Sequence, residues 1–95
     1  MLRIRLRQQA RSDLRNIWLY SLEIFGRQVA ADYYNSLLDT IDAARLNPSI
    51  GKQVSIMPGV LALHSGRHFV FYRILDTRLV VIRILQEKQD FKRHL

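Results

Sequence analysis

A change of period at residue 8 constrains this chain more than any other feature. Leu2-Arg3-Ile4-Arg5-Leu6-Arg7 alternates apolar and charged residues at every step, the spacing of a strand with one face on a core and the other in water. From Gln8 the pattern shifts to three- and four-residue steps. Ala10, Leu14, Ile17, Trp18, Ser21 and Phe25 then share one helical stripe. Gly26 reads as the residue that ends this helix, since glycine accepts the left-handed conformation found after many helices. A second stripe of Ala30, Tyr33, Leu37, Ile41 and Ala44 predicts a helix over 27–46, closed by Asn47-Pro48 because proline disfavours helix in the residue before it. So short a break between two amphipathic helices implies an antiparallel hairpin.

The second half has a different texture. Residues 49–59 carry Gly51, Pro58 and Gly59 and read as loop. Strands are expected over 60–64, 67–75 and 79–86, joined at Ser65-Gly66 and Asp76-Thr77-Arg78, both short enough for tight hairpins. The last two are apolar on both faces, as interior strands are. A polar tail over 87–95 is expected to form a final turn. The architecture is therefore α+β, β-α-α-β-β-β, with the helix hairpin packed on an antiparallel sheet. With 95 residues it makes one domain spanning 1–95.

Charge narrows the function. Fifteen basic residues against eight acidic give +7. Residues 1–26 hold +3, residues 27–59 balance at zero, and residues 60–95 hold +4. Such a field attracts polyanions, either nucleic acid or an acidic protein. The chain has no cysteine, which excludes disulfides and thiolate metal sites and fits a reducing compartment. No run nears the ~18 apolar residues of a membrane span, and the opening alternation is unlike a signal peptide. A cytoplasmic protein is expected.

Catalytic chemistry finds few candidates. His64, His68 and His94 show no metal-ligand spacing, and the four glycines form no phosphate loop. A neighbouring-strand histidine is more simply a solvent-facing or hydrogen-bonded residue, and Asp32, Asp39 and Asp42 a solvated helix face. A metal-free ribonuclease would need a general acid or base with cations around it. Arg67, Tyr72, Arg73, Arg83 and His94 are the residues that could converge for that. Their plainer reading is that Tyr72 is a core aromatic and that Arg73 and Arg83 are strand positions whose heads reach a groove. No helix-turn-helix, zinc knuckle or RNP-like pattern supports a plain nucleic-acid-binding module.

The ordered set of residues then resembles a family. Ala10-Arg11-Ser12-Asp13-Leu14-Arg15-Asn16-Ile17, Tyr20, Phe25-Gly26, Ala30, Tyr33, Asn47-Pro48, Gly51, Gly66 to Arg73, Val81 to Leu85, Asp90-Phe91 and His94-Leu95 look like ParE toxins of the RelE/ParE superfamily. The resemblance implies the toxin of a type II toxin–antitoxin system. It would bind and poison DNA gyrase and be neutralised by a ParD-like antitoxin with an acidic, disordered C-terminal segment. It would meet DNA only through the antitoxin complex, with no cofactor, metal or catalytic residue. The alternative within the superfamily is a RelE-type ribosome-dependent mRNA endoribonuclease. Gln86 stands where many members have His, which argues against proton transfer there, and Leu61 stands where a basic residue is common. For the antitoxin surface, the arginine forks of Arg67, Arg73 and Arg83 suit carboxylates. Trp18, Leu22 and Tyr34 are the expected apolar lining.

Overall fold

The period change falls where the backbone changes. In the computed structural model, which describes all 95 residues, β1 spans Arg3–Leu6 and α1 spans Gln8–Phe25. Only Gly26 separates α1 from α2 (Arg27–Leu46). Gly26 has φ +86° and ψ 174°. This is the extended positive-φ region that glycine alone occupies readily, and not the left-handed helical cap expected for it. Its N–H still donates to the Leu22 carbonyl, and its own carbonyl accepts from Ala30. One residue therefore closes one helix and opens the next.

After a 3₁₀ turn at Pro48–Ile50, the chain makes β2 (Lys52–Gln53), β3 (Leu61–Ser65), β4 (His68–Leu75), β5 (Arg78–Gln86) and a short α3 (Phe91–His94). The strand order is β1-β5-β4-β3-β2. Two features depart from expectation. The two-residue β2 lies inside the segment read as loop and pairs with β3; a strand this short leaves no periodic signal. The sheet is also mixed, because β1 pairs in parallel with β5, from Arg3↔Arg78 to Leu6↔Val81. The helix hairpin carries the chain away from β1, and the antiparallel meander then returns its last strand alongside in the same direction.

Two cores flank the sheet. On the helix face Ala10, Leu14, Leu37, Ile41 and Ala44 meet Val70, Tyr72, Leu79, Val81 and Ile84. Leu2 and Leu6 of the first segment reach this core, while Ile4 between them stays 41% exposed. On the outer face Val60, Phe71, Ile82 and Leu85 are covered by Val54, Met57, Phe91 and Leu95. The 54–60 segment and α3 thus form the second cover that doubly apolar strands require. Burying each large side chain contributes roughly 1.5–3 kcal/mol. A register shift between Phe71 and Tyr72 leaves Ile82 as the extra residue of a bulge in β5. Past it the facing of alternate residues changes, so Val81 and Ile84 both reach the helix core.

Candidate binding groove

The fold leaves one large groove, of about 960 Å³. Its walls are the second half of α1, the start of α2, the β3–β4 turn and the end of β5. Ile17, Tyr20, Phe25 and Val29 give an apolar side. Arg67, His68, Arg83 and Gln86 give a polar one. Tyr20, Phe25 and Val29 are 59%, 59% and 49% exposed, so the apolar wall is bare.

Arg83 is held by a neighbour on α1. Its Nε and Nη2 donate to the two carboxylate oxygens of Asp13 at 2.8 and 2.9 Å, and its Nη1 donates to the His94 carbonyl at 3.1 Å. The same carboxylate accepts the Ile84 N–H at 2.9 Å. The sheet explains why: β1 ends at Leu6, opposite Val81, so the β5 edge beyond has no strand beside it. Asp13 supplies the missing acceptor. Donating to the Asp13 carboxylate raises the Arg83 pKa further above its already high ordinary value, against the opposing effect of burial. The guanidinium is permanently charged, and that charge is already answered.

Tyr33 organises the groove floor. Its hydroxyl accepts the Arg67 N–H at 3.0 Å and lies 2.5 Å from His68 Nδ1, with the Ser65 carbonyl farther away at 3.4 Å. Burial raises the Tyr33 pKa and lowers that of His68, a residue 8% exposed. Both are therefore neutral near pH 7. The hydroxyl proton then goes to Nδ1, the nearer acceptor, which places the imidazole hydrogen on Nε2. Gly66 makes this possible. It sits at φ +59°, and a Cβ there would fall 2.6 Å from the Tyr33 ring, so the turn can lie on that ring only without a side chain.

The six residues expected at the antitoxin surface do not form one site. Arg67 stands exposed at the groove wall and makes no ion pair. Arg83 lines the groove but is bound to Asp13. Arg73 lies beside Gly59 on the outer face, its Nη2 3.4 Å from the position of a Cβ there, and so does not reach the groove. Trp18 and Tyr34 pack edge to face, centroids 5.9 Å apart. They share a separate hollow of about 510 Å³ with Arg15, Ala31 and Asn35. Leu22 is half-buried on α1 and lines neither hollow.

Tyr72 is fully buried, donating to the Pro48 carbonyl at 2.9 Å and accepting from the Gly51 N–H at 3.0 Å. It is a core residue, as its plainer reading held. His94 offers Arg83 only its backbone carbonyl. Leu61 packs against the helix-face core, where a cation would lose hydration. The sequence reading missed Asp13, Tyr33 and His68 as a set. Asp13 did carry a signal, being a carboxylate one turn from Ala10 and Ile17 on a core stripe.

Such a groove offers a bare apolar wall, one free guanidinium and one imidazole N–H. That suits an amphipathic segment carrying carboxylates.

Comparison with known proteins agrees with this architecture. The profile of the family described as "ParE toxin of type II toxin-antitoxin system, parDE" matches residues 4–91. The chain is similar to Toxin ParE1 of Caulobacter vibrioides, 36% identical over 92 residues, covering 96% of this chain and 95% of that one. It is also similar to Toxin ParE1 of Mycobacterium tuberculosis, 34% identical over 88 residues and 90% of each chain. Among solved structures, a chain of the chromosomal ParDE system of P. aeruginosa superposes with a TM-score of 0.79 at 18% identity, over 90% of this chain and 96% of that one. A chain of the toxin–antitoxin complex RelBE2 of Mycobacterium tuberculosis reaches 0.51 at 21% identity, over 90% and 98%. At those identities the structures speak for the fold.

Proposed function

The chain belongs to the ParE toxin family of type II toxin–antitoxin systems, and from that premise we propose that it acts by binding, inhibiting DNA gyrase until a ParD-like antitoxin silences it. The antitoxin's acidic C-terminal segment folds into the groove. Its aliphatic side chains lie on Tyr20, Phe25 and Val29, and a carboxylate pairs with Arg67. Ordering a disordered segment is costly, so affinity comes from a broad apolar contact together with charge. The proposal places the chain in the cytoplasm with its target, and any contact with DNA is made through the antitoxin.

One observation carries the choice of binding over RNA cleavage. Most of the groups that a ribonuclease would use here are engaged or elsewhere. Arg83 is held by Asp13, the Tyr33 hydroxyl by His68 and the Arg67 N–H, Tyr72 lies in the core and Arg73 on the outer face. That leaves the Arg67 guanidinium and His68 Nε2–H as the free polar groups of the groove. General acid–base chemistry on a phosphodiester needs such groups free to meet it. The test is a supercoiling assay with purified gyrase. The expected result is loss of supercoiling on adding this chain, and recovery on adding the antitoxin encoded beside it. Intact supercoiling, with codon-linked mRNA ends after induction, would replace this reading with the RelE-type endoribonuclease.

A further inference from the structure

Resting on the groove reading above, we propose that the Nε2–H of His68 receives a carboxylate of the bound acidic segment, so that filling the groove takes up a proton. The geometry is specific to this nitrogen. Nδ1 is occupied by the Tyr33 hydroxyl, while Nε2 has no protein partner among the hydrogen bonds of the chain and His68, a residue 8% exposed, lines the groove. Nε2 keeps a contact with solvent on an otherwise buried residue, so an acceptor entering the groove can reach it and complete its hydrogen bonding.

The surrounding charges select which acceptor. Asp13 of α1 faces His68 but is committed to Arg83 of β5. Glu87, after β5, sits 3.0 Å from His64 Nε2 on the rim. Tyr33 of α2, its pKa raised by burial, brings no charge. Arg67, on the turn, is the groove's one charge without a counter-ion. A carboxylate seated between Arg67 and Nε2–H answers both. An amide carbonyl would satisfy the hydrogen bond but leave Arg67 alone. Burial keeps the free imidazole neutral, and an adjacent carboxylate reverses that preference, so the complex holds a proton its separate parts do not.

The experiment is titration calorimetry of the full chain with its neighbouring ParD-like antitoxin between pH 6 and 8, in phosphate and in Tris, whose protonation heats differ. Expected are net proton uptake below pH 7 and affinity about fivefold or more higher at pH 6 than at pH 8, with tenfold per pH unit as the ceiling for one proton. His68→Gln should still bind and lose the uptake, and His64→Gln should keep it. Nitrogen NMR of the unaltered chain should give an Nε2–H tautomer when free and an imidazolium when bound. It decides the matter if His68→Gln does not fold. Tight binding with flat pH dependence overturns the role of His68 and leaves the groove reading intact, as does uptake that survives His68→Gln. No binding at any pH overturns the groove reading and this inference with it.

Discussion

At the residue scale, Asp13 is the side chain on which most depends. It joins α1 to β5 by three hydrogen bonds to one carboxylate, with its side chain 12% and that of Arg83 16% exposed. Asp13→Ala strands both the guanidinium and the Ile84 N–H, and should cost about 3 kcal/mol in urea unfolding, the scale for breaking a buried pair. A loss below about 0.5 kcal/mol, the level of an exposed pair, would show the contact to be ornamental. His68 predicts a pH effect of definite sign. Its folded pKa lies below the ordinary imidazole value because of burial. The stability it contributes is therefore complete above about pH 6.5 and is lost as pH falls through the folded value. Melting temperature should drop between pH 7 and pH 5, and His68→Gln should flatten that drop; parallel curves for the two proteins would refute the assignment. Little of this was readable beforehand. Arg67, Arg73 and Arg83 read alike in sequence, and only the structure separates Arg67 at the groove wall from Arg73 on the outer face and from Arg83 bound to Asp13. The Asp13 that answers it is 70 positions away, and no local pattern reports a contact at that distance.

At the element scale the chain is far more legible. The helices follow their stripes to the residue, because a core-facing period persists over five turns and Asn47-Pro48 stops it abruptly. Strand ends moved by a residue, and β2 was invisible, since two residues cannot show a period. The parallel partner of β1 was also out of reach, as alternation gives a strand its faces but not its neighbour. What did not follow from pattern was the job of the tail. Read as a polar turn, it places Phe91 4.9 Å from the Phe71 ring and 5.6 Å from that of Phe69, closing the outer core. Truncation after Asp90 should expose Phe69, Phe71 and Leu85, lower stability by about 3–5 kcal/mol on the scale of losing a buried phenylalanine, and induce binding of a hydrophobic dye. An unchanged melting temperature in the truncated chain would mean that the outer core closes without α3.

For the whole molecule, the excess of basic residues and the division of the arginines between two faces make a joint prediction. Arg67→Glu, in the groove, should weaken antitoxin binding by about 2 kcal/mol, the lower range for a buried charge contact, and should reduce the salt dependence of binding. Arg73→Glu, on the outer face, should change affinity by less than about 0.5 kcal/mol. Equal losses from both would describe a partner that wraps around the sheet edge onto both faces. The mixed sheet has a last consequence, for timing. The strand made first pairs with the strand made nearly last, with roughly 70 residues between them. At synthesis rates of about 5–20 residues per second, β1 waits on the order of 4–14 seconds for its neighbour. A nascent chain is therefore short of its groove until β5 has been made, so any partner that fills the groove can engage it only after that interval.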